Sequence, residues 1–241
     1  MSEEHDREKA AIREYLGPDA GFFVEVGANH PTNYLSQTWH LEQRGWTGIL
    51  VEPVQWLYEL IQKERPASKA IRAACTSPDK VGQLTLKIPV VDGVARTELA
   101  GTETGVDEPE ARVYETQVVP ALTLDQLLEQ DGGRRPDFVS IDVEGSEIDV
   151  LRGFNLERWQ PKLVLIEDKW VYFTVHRHLS AHGYRLVKRT GPNSWYVPEG
   201  SGYRMLLLDR LNIWRKCYYG IWPRKLRKAR EMRSWRPLQH L

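Results

Sequence analysis

Hydrophobic positions along this chain gather into short, nearly continuous runs that break off at a glycine or a carboxylate. Gly21-Phe22-Phe23-Val24-Glu25-Val26-Gly27-Ala28-Asn29-His30-Pro31 is followed about one helix later by Gly48-Ile49-Leu50-Val51-Glu52-Pro53. Each reads as a buried parallel strand whose carboxyl end opens into a ligand crevice. Between them, Ser36 to Arg44 has the length of a helix stopped by Gly45, which gives the strand, helix, strand of a parallel crossover. Lys69 to Ser77 supplies a third strand. Farther on, Pro136-Asp137-Phe138-Val139-Ser140-Ile141 repeats the pattern, then a turn with acidic residues at its lip leads to a helix with Ile148 and Leu151 inward. Lys162 to Ile166 is one more buried strand, ending in Glu167-Asp168, and Tyr184 to Lys188 with Ser194 to Val197 alternate as a closing antiparallel pair.

The intervening segments read as helices and one long excursion. Residues 5 to 16 form an amphipathic helix that stops at Gly17-Pro18 and covers a sheet face. Trp56, Leu57, Leu60 and Ile61 recur at helical spacing and are assigned to the core. Thr123-Leu124-Asp125-Gln126 has the spacing of a capping box. Residues 82 to 88 and 112 to 119 alternate as strands. The stretch between them, Val90 to Arg112, is rich in Gly, Thr and acids; it is read as a surface loop or part of an acceptor site, with Arg96-Thr97-Glu98 approaching the ligand. The predicted fold is α/β: a doubly wound, mostly parallel sheet with helices on both faces.

The scarcity of glycines narrows the ligand. A dinucleotide fingerprint needs several, because a pyrophosphate approaches the backbone closely at a helix N-terminus. Here Gly27 stands alone until Gly45. A phosphate-free nucleoside needs one close approach and an acidic group for the ribose hydroxyls, and Glu52 is placed for that. The pattern therefore favours an adenosyl ligand such as S-adenosylmethionine over NAD. At the other strand end, Asp142 and Glu144 stand with single-residue spacing, a costly arrangement unless a cation or proton lies between them. A sulfonium is such a cation.

Five segments, FVEVGANHP, GILVEP, LTLDQLL, PDFVSIDVEGSEIDVLRGF and the run Leu163-Val164-Leu165-Ile166-Glu167, resemble the FkbM-type methyltransferases in the same order. The likeness covers roughly residues 20 to 170, and SIDVEGSEIDVLRGF is its most specific part. The resemblance implies the class I, Rossmann-like methyltransferase sheet, S-adenosylmethionine as cofactor, and a hydroxyl acceptor, often on a sugar. It assigns Glu25, Gly27 and Asn29, with Ala28 between them, to the cofactor loop, Glu52 and the adjoining Pro53 to the ribose, and Asp142 and Glu144 to the reaction centre. No acidic residue ends the third strand to hold the adenine amino group; Asp79 is a late candidate, backbone near Ala74 and Cys75 is another, and adenine recognition stays unassigned.

Methyl transfer to a hydroxyl is an in-line displacement that needs the oxygen about 3 Å from the methyl carbon and a group to take the proton. Glu144 is the first choice for the base and His30 the second, while Asp142 contacts the cofactor or shares the chemistry. The ordinary alternatives are that His30 orders its turn and that Asp142 caps the helix near Ser146. Asp142, Glu144 and Glu167 or Asp168 also make an oxygen-rich rim of the kind that suits magnesium. His176, His178 and His182 lack an acidic partner motif and are read as a solvated helix rather than a zinc site.

Composition changes this picture mainly at the end of the chain. The 241 residues suit a single doubly wound domain. No apolar run has the length of a membrane span, the charged start Met1 to Lys9 lacks a signal-peptide core, and Cys75 and Cys217 have no metal-ligand spacing. A cytoplasmic protein is expected. Residues 1–208 are assigned to the methyltransferase domain and 209–241 to a basic, aromatic tail. That tail holds ten Lys and Arg against Asp209 and Glu231, a charge of +8, so in a chain of net charge 0 the first 208 residues carry −8. Trp214, Tyr218, Tyr219, Trp222 and Trp235 interleave with the cations. Docking of the tail in a homo-oligomer and peripheral contact with the inner membrane surface are the two roles expected for it, ahead of nucleic acid. For the whole chain the expected function is O-methylation of a glycan or glycolipid hydroxyl. The rivals are a small-molecule O-methyltransferase of natural-product assembly and a nucleoside-binding module without catalysis.

Overall fold

Parallel strands with their hydrophobic residues on both faces need a layer on each side, and the chain supplies both. The computed structural model describes residues 2–92, 94–97, 100–102, 113–168, 173–215 and 226. Helix α1 (Ser2–Leu16) leads into β1 (Phe22–Val26), followed by a short α2 (Trp39–Glu42), β2 (Thr47–Val51), α3 (Gln55–Glu64) and β3 (Lys69–Ile71). A separate group of strands comes next: β4 (Ala74–Cys75), β5 (Gly82–Val91), β6 (Val94–Ala95), β7 (Gly101–Thr102) and β8 (Val113–Leu122). Helix α4 (Leu124–Gln130) returns the chain to β9 (Phe138–Ile141), α5 (Glu147–Arg152), α6 (Leu156–Trp159) and β10 (Leu163–Glu167). After α7 (Thr174–Ala181), the hairpin of β11 (Tyr184–Thr190) and β12 (Asn193–Pro198) precedes α8 (Leu207–Ile213).

The main sheet has the order β11-β12-β10-β9-β1-β2-β3, parallel from β10 to β3 and antiparallel in its last two strands. Chain order runs outward from β1 through β2 to β3 on one side and from β9 to β10 on the other. The carboxyl ends of β1 and β9 therefore flank the topological switch point, where the connecting segments part and leave a crevice. Register makes this rim level: Val26 is paired with both Val51 and Ile141, and Ile141 with Ile166. Gly27, Glu52, Asp142 and Glu167 each follow one of those paired residues.

Alternation along β1 explains the two core layers. Phe22, Val24 and Val26 pack with Leu124, Leu127, Val150, Leu156, Val175 and Leu179 from α4 to α7, whereas Phe23 packs with Ile12, Leu16, Leu41 and Ile61 from α1 to α3. Each fully buried Phe or Leu of these layers contributes about 1.5–3 kcal/mol relative to exposure. Polar ties add register. The buried Glu8 of α1 accepts from Asn193 Nδ2 at 2.8 Å and Trp195 Nε1 at 3.2 Å, and from the Thr190 hydroxyl, which fastens the first helix to the last hairpin. The capping box at Thr123 and Gln126 forms in both directions.

Several expectations change in detail. The helix foreseen from Ser36 to Arg44 shrinks to Trp39–Glu42, because the hydroxyls of Ser36 and Thr38 turn inward to Glu25. Trp56 is 49% exposed rather than core, since α3 buries the face of Leu57 and Ile61 and Trp56 lies a third of a turn away. The strands foreseen over 82–88 and 112–119 extend to Gly82–Val91 and Val113–Leu122, paired antiparallel along their length. With β4, β6 and β7 they make a five-stranded second sheet, whose Leu86 and Ile88 pack with Val54 and with Leu57 of α3. Helix α8 begins at Leu207 and runs across the 208/209 boundary; apart from residue 226, the tail beyond 215 lies outside the described residues.

Candidate active site

The cleft at the switch point is walled by the ends of β1, β2, β3 and β9 and by the second sheet. Gly27 and Asn29 form one side, Glu52 and Pro53 the next, then Ala73, Ala74 and Cys75, and finally Asp142, Val143, Glu144 and Ser146. Leu86, Thr97, Ala100 and Gly101 cover it from the second sheet.

Gly27 is required there by the protein itself. Its φ is +81°, and a Cβ at this position would stand 1.8 Å from the Asp142 carbonyl oxygen. The N–H groups of Gly27 and Ala28 both donate to the Val51 carbonyl, at 3.0 and 3.1 Å, while Asp142 N–H donates to Val26. One glycine thus lets three strand ends meet without a gap. Asn29 continues the turn at φ +49°, a left-handed conformation that Asn tolerates.

The Asn29 N–H donates to Glu52 Oε2 at 2.8 Å, and the Val54 N–H donates to Oε1 at 2.9 Å. Each carboxylate oxygen has two acceptor sites, so one on each oxygen stays available toward the cleft. Burial pushes Glu52 up to about 7, against the two backbone donors that pull it down. Next to it, burial raises the Cys75 thiol to about 12, which leaves a neutral, apolar wall.

Across the cleft, Asp142, Glu144 and Glu167 each present a carboxylate oxygen within 4.8 Å of the others. The protein crowded around the Asp142 carboxyl, reinforced by the charges of Glu167, Glu144 and Glu147, holds it well above the ordinary carboxylate range. Glu167 is also its hydrogen-bond partner, the geometry of two carboxyls sharing one proton. Glu144 has a φ of +51° and is followed by Gly145 at +105°. A left-handed glutamate costs about 1–2 kcal/mol, a strain of the kind that collects at functional sites. Asp142 does not cap α5; Ser146 occupies the cap position without a side-chain hydrogen bond, and Gly145 N–H donates to Glu147 at 2.8 Å instead.

Three residues assigned to the site from sequence sit elsewhere. Glu25 alternates with Val24 and Val26 onto the α1–α3 face. There its buried carboxylate accepts from the Gln37 N–H at 2.7 Å and from the Ser36 and Thr38 hydroxyls, and it pairs with Arg65 at 3.4 Å. Ala28 is buried in the core layer that contains Phe23 and Leu41. His30 is not among the cleft-lining residues; its Nδ1 accepts the Thr32 N–H at 3.4 Å, so the ring orders the turn. Of Arg96-Thr97-Glu98, Thr97 reaches the cleft, Arg96 is exposed, and Glu98 lies outside the described residues. Leu86, Ala100 and Ser146 were not foreseen, and only the pairing of β5 with its neighbours brings the first two to the wall.

A family model described as the methyltransferase FkbM domain matches residues 25–186. Among solved structures, methyltransferase FkbM from Methylobacillus flagellatus KT is similar with a TM-score of 0.45 and 12% identity, over 74% of this chain and 43% of that one. The chain therefore spans less than half of that protein's length. Precorrin-6y C5,15-methyltransferase from Geobacter metallireducens GS-15 is similar with a TM-score of 0.41 and 10% identity, over 78% and 85% of the two chains. No curated protein matches the sequence.

Proposed function

This chain belongs to the FkbM methyltransferase family, and on that footing we propose that it moves a methyl group from S-adenosylmethionine to a hydroxyl, on a sugar of a glycan or glycolipid. The observation that carries the cofactor half is Glu52: its two oxygens are fixed by backbone donors, and each has an acceptor site left for one ribose hydroxyl. When bound, S-adenosylmethionine supplies an electrophilic methyl carbon on a positively charged sulfur. Gly27 and Asn29 give that ligand a close backbone approach. Ala73, Ala74, Cys75 and Leu86 offer apolar surface and backbone groups for an adenine ring.

The acceptor half rests on the acidic rim. A sugar hydroxyl is a weak nucleophile and gains from a base near the working pH. Asp142, made more basic by burial and by Glu167 and Glu144, is the carboxyl best suited to take the proton, and Glu144 is suited to orient the hydroxyl by accepting from it or from its neighbour on the ring. The same negative charges favour a sulfonium beside them. In this scheme proton sharing and the cofactor's own charge relieve the repulsion among the three carboxylates, a cluster that would otherwise suit magnesium.

Titration calorimetry with S-adenosylmethionine tests the reading. Glu52→Ala should weaken binding by roughly 1.5–3 kcal/mol, the size of lost charge-assisted hydrogen bonds. The pH dependence has a definite sign. With its group held at about 7, the free protein keeps Glu52 protonated at lower pH, whereas ribose hydroxyls donate to the carboxylate. Affinity should rise between pH 6 and pH 8, and the slope should vanish in Glu52→Ala. An affinity that is flat across that range and indifferent to the substitution removes Glu52 from the ribose.

A further inference from the structure

Helix α8 is amphipathic in the wrong sense for a helix facing water. Its inner side carries Asp209, 8% exposed, and Ile213, which is partly buried in the same apolar cluster as Phe173 and as Leu186 of the edge strand β11. The outer side, with the residue just before it, presents Leu206, Leu207, Leu208, Leu211 and Trp214, all between 54% and 72% exposed. Scattered exposed leucines need no explanation, but five large apolar side chains within nine residues form a patch. It is unrelated to the cleft, whose walls come from the opposite part of the sheet and from the second sheet.

Sequence continuity says what covers it. The chain passes from this patch directly into the segment that carries Arg215, Lys216, Arg224, Lys225, Arg227, Lys228, Arg230, Arg233 and Arg236, with Tyr218, Tyr219, Trp222 and Trp235 among them. We propose that the outer face of α8 and this basic, aromatic segment together seat the protein on an anionic lipid surface. The leucines and Trp214 enter the headgroup and acyl boundary, and the cations meet lipid phosphates. A second copy is a poorer occupant. A twofold contact through α8 sets the same patch against itself, and it would bring two segments of like charge together. Lipid of opposite charge relieves that repulsion. Among the described residues no helix is long and apolar enough to cross a membrane.

The test is co-sedimentation of the full chain with vesicles of phosphatidylcholine alone and of phosphatidylcholine with phosphatidylglycerol. The expected result is binding to the anionic vesicles only, weakened as salt screens the cations. The triple substitution Leu207→Ser, Leu208→Ser, Leu211→Ser touches exposed positions and should keep the thermal melting profile, while lowering vesicle affinity by roughly tenfold or more. Equal binding to neutral vesicles overturns the proposal, as does binding that ignores the triple substitution. If the full chain ignores anionic vesicles and instead forms a dimer that the triple substitution dissolves in sedimentation velocity, the patch belongs to a second copy and the lipid reading is wrong.

Discussion

Asp142→Asn is expected to lower methyl transfer by roughly 10²–10⁴-fold, the range for loss of a general base, while affinity for the demethylated cofactor changes far less. The substitution keeps the size of the side chain and the backbone that meets Gly27, so a folding defect is not expected. More telling is the pH profile. In the wild type, turnover should rise with pH as Asp142 ionises, from a value held above the usual carboxylate range by its crowded surroundings and by Glu167, Glu144 and Glu147. Glu167→Gln removes the largest of those charges, so the acid limb should move to lower pH; Glu144→Gln should move it the same way by less. A purely structural role for Glu167 would leave the limb where it was. Addition of a chelator should leave turnover unchanged in all these proteins. Activity that survives Asp142→Asn and disappears in Glu144→Gln would transfer the base to Glu144, and activity restored by magnesium after chelation would put a metal among the three carboxylates.

The acidic rim was readable from sequence because of how parallel sheets are built. Strands buried on both faces are nearly continuous apolar runs, so their ends are visible, and all ends of one direction share one rim. Gly27, Glu52, Asp142 and Glu144 could be brought together on that ground alone. What failed depends on facts that a run does not carry. Glu25 lies two residues before Gly27, yet its side chain falls on the face of Phe23, which α2 and α3 cover. His30 follows Gly27 closely too, but the turn binds its ring to Thr32. Leu86 and Ala100 come to the cleft only through the folding of the second sheet, and no local pattern brings β5 back over the site. Arg65 was invisible for a related reason. An arginine after a helix ordinarily faces water, and only the meeting of β1, α2 and the end of α3 turns this one inward.

That arginine controls the second large effect, on stability rather than chemistry. The Arg65 side chain is fully buried; its guanidinium reaches Glu42 at 2.9 Å and Glu25 at 3.4 Å, and donates to the Thr38 hydroxyl at 2.9 Å and the Ser36 hydroxyl at 3.3 Å. Phe23 and Trp39 lie 5.5 and 5.6 Å from it, within the range in which an aromatic ring attracts a cation. Removing one partner of a buried ion pair leaves uncompensated charge, and here it leaves two carboxylates. Arg65→Ala should therefore destabilise the protein by about 3–5 kcal/mol, which for a chain of this size lowers the melting temperature by roughly 6–20 °C. Glu25→Gln keeps hydrogen-bonding capacity and one remaining ion pair, so its cost should be smaller. The two variants also separate structure from ligand binding. The network holds the segment from Ser36 to Glu42 against β1 and does not line the cleft, so the folded fraction of Glu25→Gln should bind S-adenosylmethionine as the wild type does. A Glu25→Gln protein that melts normally but loses the cofactor would return Glu25 to the binding loop.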